Sequence, residues 1–109
     1  MTRLTSEIWV AAYLTRCRLA TIPAFIVKKG DQTAGAVIVK LNTLDGQAVC
    51  YQRSFDLMSG ERRWIVLAEG DEADVDSSIA KQGGFDPDLW VIEVEDRQGR
   101  HLLDEPGLE

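Results

Sequence analysis

The sequence predicts an α+β fold, and three observations carry the prediction. Residues 5–20 contain neither Gly nor Pro and place apolar side chains at helical spacing. Between residues 24 and 68, four extended stretches are joined by short turns, the pattern of strands paired with their sequence neighbours. An acid-led helical segment then runs into one last apolar strand, residues 89–95. The expected order is an N-terminal helix, a four-stranded antiparallel meander, a short helix and a fifth strand. A chain of 109 residues suits a single domain spanning 1–109, with residues 104–109 a frayed tail.

Each element has a local reason. In the first helix Thr5 is the N-cap and Glu7 sits in the first turn, where a negative charge suits the helix dipole. Its apolar arc is wide: Ile8, Trp9, Val10, Ala12, Tyr13, Leu14, Cys17, Leu19 and Ala20 cover roughly two thirds of the circumference. A helix that apolar is either sandwiched in the core or buries a second face against another chain, and in the second case Trp9, Tyr13 and Leu14 are the interface candidates. Arg16 lies inside the arc, either binding an anion or laying its stem on Trp9.

Pro23 closes this segment, and residues 24–29 read as a strand. A polar turn from Gly30 to Gly35 leads to residues 36–41, β-branched on both faces and so expected to be central. Asp45-Gly46 is a strong hairpin signal. In the return strand, 47–55, Val49, Tyr51, Arg53 and Phe55 share one face. Residues 62–68 form the fourth strand. Asp71 opens the second helix as N-cap with Asp74 three residues on, Val75 and Ile79 form its buried stripe, and Gly83-Gly84 stops it. Pro87 then sets the turn into Leu89-Trp90-Val91-Ile92, which reads as buried on both faces. Arg97 to Arg100 offers a turn into an optional hairpin ending at Leu103.

Charge is unevenly spread. Residues 1–63 hold nine Lys/Arg against five Asp/Glu, whereas residues 64–109 hold three against thirteen, giving −6 in all. Within one fold the two halves attract each other. Basic residues interleave with Phe25, Tyr51, Phe55 and Trp64, as on single-strand RNA platforms, but the net negative charge disfavours nucleic acid. Cys17 and Cys50 sit in apolar patterns and read as buried free thiols. No stretch approaches a membrane span or a secretory leader, so the expected location is cytoplasmic.

No catalytic constellation emerges. The acids Asp71, Glu72, Asp74, Asp76, Asp86 and Asp88 lack EF-hand spacing and belong to a helix start and a turn. Glu93 and Glu95 face the same way on a strand and read as solvent-facing, with Arg53 or Arg63 across from them. His101 is the only histidine, and no glycine-rich phosphate motif occurs. No metal or cofactor site is expected. Two functions follow: a non-catalytic protein-interaction module, self-associating through the first helix or a sheet face, or a binding protein for an acidic ligand. The second would use Arg16, Tyr51 and Arg53 in a concave sheet face.

The closing run Phe85-Asp86-Pro87-Asp88-Leu89-Trp90-Val91-Ile92-Glu93-Val94-Glu95-Asp96 resembles a family of short alphaproteobacterial proteins, domain of unknown function fourteen-ninety-one. So do Leu4-Thr5-Ser6-Glu7-Ile8-Trp9-Val10, and Lys29-Gly30-Asp31 with Ala34-Gly35. The resemblance spans roughly residues 3–96. It implies a bacterial cytosolic protein and transfers no activity, cofactor or catalytic residue.

Overall fold

The computed structural model describes residues 4–55 and 57–108; Arg3, Glu109 and the side chain of Phe55 lie outside the described residues. The elements are α1 (Ser6–Leu19), β1 (Ala24–Lys28), β2 (Val37–Asn42), β3 (Gln47–Phe55), β4 (Arg62–Asp71), α2 (Glu72–Phe85) and β5 (Trp90–Glu95). The α+β class and the order of elements match the expectation. The strands form one sheet in the order β1-β5-β2-β3-β4.

Only β2, β3 and β4 form a meander. The expected four-strand meander is corrected at β1, which pairs antiparallel with β5, while β5 runs parallel to β2. Two features of the chain explain the insertion. Leu89, Trp90, Val91 and Ile92 are all buried, so β5 needs neighbours on both sides and cover on both faces. The loop from 29 to 36 is also long enough to step over one strand, about 10 Å across two inter-strand spacings.

That loop is stapled to the start of β5. Asp31 N–H donates to the Asp88 carbonyl at 3.0 Å, and the Trp90 indole donates to the Asp31 carbonyl at 2.7 Å. Gly30 and Gly35 both sit against the Asp88 carbonyl, where a Cβ would collide with it. The short motifs that carry the family resemblance therefore pack on one another.

Strand alternation divides the core into two layers. Val37, Val39 and Leu41 of β2 with Trp90, Ile92 and Val94 of β5 meet Trp9, Val10, Tyr13 and Cys17 of α1. Ile38, Cys50, Leu89 and Val91 meet Val75 of α2 on the other face. Both cysteines are free and buried.

Thr5 caps α1 as expected, its hydroxyl accepting from Ile8 N–H at 3.3 Å. Three other expectations are corrected. Asp71 makes no side-chain cap; it accepts from Gln47 Nε2 at 2.8 Å, and Glu72 N–H goes to the Gly46 carbonyl. The helix α2 runs through Gly83-Gly84 to Phe85 and stops at the Asp86-Pro87 turn, where Leu89 N–H closes on the Asp86 carbonyl.

The third correction concerns the tail. Residues 97–103 form no strand, and the described part of 104–109 is docked rather than frayed: Leu103 and Leu108 are 2 % and 1 % exposed. These leucines fill the part of the α1-side layer that α1 itself leaves open. The turn before them is clamped by Arg100, whose Nε and Nη2 donate to the Asp96 carboxylate at 3.1 Å each. No helix among the described residues is long and apolar enough to cross a membrane.

Candidate functional site

On α1, Trp9, Tyr13 and Arg16 form one stripe at i, i+4 and i+7, and all three read main-chain carbonyls of the C-terminal segment. The Trp9 indole donates to Leu108 at 3.3 Å, the Tyr13 hydroxyl to His101 at 2.7 Å and Arg16 Nη2 to Pro106 at 3.1 Å. Arg16 also pairs with Glu105 at 3.5 Å. Trp9 and Tyr13 are 3 % and 0 % exposed, and Leu14 packs against the same core. The surface expected to meet a partner thus meets the chain's own tail: Tyr13 is fully covered, and Trp9 keeps only a narrow edge open. Burial and the neighbouring Cys17 push the Tyr13 hydroxyl well above its ordinary pKa, so it serves as a neutral donor.

The Leu108 carbonyl collects two further donors, Trp64 Nε1 at 3.0 Å and Arg53 Nη2 at 3.5 Å. Arg53 packs against the touching pair Trp9 and Trp64, whose centroids are 5.3 Å apart, with its guanidinium carbon 4.9 and 5.0 Å from them. Tyr51, two residues along the same strand, packs against His101 with centroids 4.7 Å apart and ring planes tilted by 54°. The trio Arg16, Tyr51 and Arg53 is therefore not one site, although each member touches the tail.

Arg53 does line a cavity. It opens between the start of α1, the 33–37 stretch and the adjoining ends of β3 and β4, with a volume of about 490 Å³. Arg53, Arg62, Ser54 and Thr33 supply its polar side, while Trp9, Leu4, Ala36 and Val37 supply its apolar side. No Asp or Glu is among the lining residues. The start of α1 also lines it, but its N–H groups are already used. Ser6 and Glu7 donate to the carbonyls of Thr33 and Gln32, and Ile8 to Thr5. Any anion recognition there falls to the arginines and hydroxyls. Sequence reasoning found Arg53 but missed Arg62 and Ser54, which come together only when β3 pairs with β4.

A second polar cluster lies on the α2 side. Lys40, 4 % exposed, places Nζ 2.7 Å from Glu72, 2.7 Å from Asp76 and 3.3 Å from Glu93. Asn42 donates to Glu72 at 3.1 Å. Burial pulls the ammonium down, but the bonds from Asp76 and Glu72, with Glu93 adding its charge, outweigh this and raise its pKa. This corrects the expectation for Glu93. It neighbours Lys40 across the parallel β2–β5 pair and does not point to water, whereas Arg53 is on the opposite face. The cluster ties β2, α2 and β5 together and fits a structural role. Among the described residues, no group of three or more His, Cys, Asp or Glu is placed to hold a metal.

The comparisons with known proteins agree with this architecture. Residues 4–104 match the family described as "Protein of unknown function (DUF1491)". A crystal structure of a DUF1491 family protein from Caulobacter crescentus CB15 is 38 % identical, covers 96 % of this chain and 97 % of its own, and superposes with a TM-score of 0.83. An NMR structure of a DUF1491 family protein from Caulobacter crescentus CB15 gives 39 % identity, 97 % coverage of each chain and a TM-score of 0.84. A solution structure from A. tumefaciens gives 31 %, 86 % of each chain and 0.74. No curated protein matches the chain. With the family matched over nearly its whole length and its relatives folded alike, this chain belongs to the DUF1491 family.

Proposed function

We propose that the chain is a non-catalytic binding protein that holds a small organic acid in the cavity lined by Arg53 and Arg62. The observation that carries this reading is the composition of the cavity: two guanidinium side chains and four hydroxyls, with no carboxylate, in a protein of net charge −6. Arginine presents a planar fork of donors that matches a carboxylate or phosphate. Arg53 is held against both indoles and bonded to the Leu108 carbonyl, so little side-chain freedom remains to be lost on binding. The apolar side, from Leu4 to Val37, favours an acid with an apolar body over an inorganic ion, and the volume is within the usual range for small-molecule sites. Ser54 has no His, Asp, Glu, Lys or Cys beside it among the lining residues, which favours binding over chemistry. A cytoplasmic setting belongs to this reading, supported by the two buried free thiols.

The test is a backbone and indole NMR titration with phenylacetate, phenyl phosphate and inorganic phosphate. Shifts are expected at Ser54, Arg62, Thr33, Ala36 and the Trp9 indole, with one of the aromatic acids saturating well below inorganic phosphate. Arg62→Gln is expected to weaken binding roughly tenfold, about 1.4 kcal/mol, the worth of one charge-assisted pair. Ser54→Asp, which puts a carboxylate in the cavity, should abolish it. Absence of localised shifts with all three probes, or equal binding by Ser54→Asp, would sink the proposal. Protein association draws its support from elsewhere, because Trp9 and Tyr13 are engaged by the chain's own tail.

A further inference from the structure

The sheet ends in two edge strands, and they are protected very differently. Strand β1 is five residues long, follows Pro23, is bulged at Val27, ends on Lys28 and is succeeded by Lys29. Each of these discourages a further strand from pairing. Strand β4 is ten residues long and contains neither Pro nor Lys. Its centre, Trp64-Ile65-Val66-Leu67, is apolar, and Ile65 and Val66 remain 42 % and 50 % exposed. An edge of that length and composition is a template for another strand.

The strand also carries its own partner's pattern. Read in order, Arg62-Arg63-Trp64-Ile65-Val66-Leu67-Ala68-Glu69-Gly70-Asp71 is basic at its start, apolar in its middle and acidic at its end. Laid antiparallel against itself, it sets each basic start beside the other copy's acidic end and keeps the apolar middles together. A parallel pair would set like charges together. An antiparallel contact of this kind closes on a two-fold axis and uses the same patch from each copy. Arg63, Glu69 and Asp71 are exposed and available for it.

We propose that the outer edge of β4 pairs antiparallel with the β4 edge of a second copy, joining two five-stranded sheets across a two-fold axis. The bulge opposite Cys50 and Tyr51 twists β4 and limits the ladder on either side of it, so the dimer is reversible and forms as concentration rises. The pairing uses the edge and not the interior of the Arg53 cavity, and it stands or falls independently of ligand binding.

Sedimentation equilibrium of the full chain, from micromolar to millimolar concentration, reads the association directly. The expected mass rises from 12.1 kDa towards twice that value. Ile65→Lys is expected to hold the chain as a monomer with an unchanged circular dichroism spectrum. Charge reversal gives a second readout that does not depend on that variant. Arg63→Glu alone and Glu69→Arg alone should each weaken the dimer roughly tenfold or more, because reversal replaces attraction by repulsion at both symmetric ends. The two changes together should restore it. A monomer throughout the range would overturn the proposal. So would a dimer that survives Ile65→Lys, or a double variant no tighter than either single one, since the contact would then lie elsewhere.

Discussion

Leu108 shows how far a single residue departs from what its neighbours in sequence announce. Asp104-Glu105-Pro106-Gly107 is polar and turn-forming, so the stretch reads as a loose end. In the fold its last described residue is a buried anchor whose carbonyl faces two indoles and a guanidinium. The information was present but scattered: Trp9, Arg53 and Trp64 lie 44 to 99 residues away, too far for local periodicity to reveal. Leu108→Ala is accordingly expected to destabilise the protein by about 2 kcal/mol, the low end for a buried leucine because a segment outside any helix or strand can relax into the space. Urea denaturation measures this, and a change below a few tenths of a kcal/mol would mean that the tail does not contribute to the core.

At the scale of elements, sequence pattern located every strand and both helices but misjudged one partner and one end. Local turns pair β2 with β3 and β3 with β4, and those are the pairings a short loop reveals. The β2–β5 pairing is parallel and brings Val37 beside Trp90, a contact that no turn residue encodes. The hint is composition: a strand apolar on both faces does not sit at an edge, and Leu89-Trp90-Val91-Ile92 is apolar on both faces where β5 enters the sheet. The candidate site was legible to the same degree, with Arg53 visible from its strand face and Arg62 hidden until β4 was placed. The end of α2 was misread because Gly83-Gly84 resembles a stop. Neither glycine has the left-handed backbone such a stop uses, and a Cβ at either meets no neighbour within 4 Å. Gly83→Ala is therefore expected to stabilise the protein by about 0.5–1 kcal/mol through helix propensity. A thermal melt shows it as a raised midpoint; a lowered midpoint would indicate that α2 needs the glycine's freedom.

Across the whole molecule, the charge asymmetry of the sequence resolves into specific contacts between its two halves. Lys40, from the basic half, sits among Glu72, Asp76 and Glu93, from the acidic half, and Arg16 reaches Glu105. Lys40 is the deeper of the two cations, and it binds a strand to a helix and to the strand beside it. Removing its charge while keeping its stem, as in Lys40→Met, leaves three carboxylates facing one another. A fully buried pair broken in this way costs 3–5 kcal/mol, but Glu72 and Asp76 are partly exposed and screened, which places the expected loss at about 2–3 kcal/mol. Its pH dependence has a definite sign. The folded-state pKa of Lys40 is raised, so the folded state holds the proton more tightly than the unfolded chain does. The associated stability is fully present below the ordinary lysine value of about 10.4 and declines as pH rises beyond it towards the raised value. Asp96 behaves oppositely. Its hydrogen bonds from Arg100 lower its pKa, so its contribution is present above the ordinary carboxylate value, about 3.9, and is lost as pH falls below it. Denaturation of wild type and Lys40→Met in parallel should give a stability difference that is flat across neutral pH and narrows above about pH 10. The difference between wild type and Asp96→Asn should narrow only below about pH 4. A Lys40→Met difference that narrowed on the acid side alone would assign the effect to the carboxylates and not to the ammonium, and Lys40 would then be a passive neighbour.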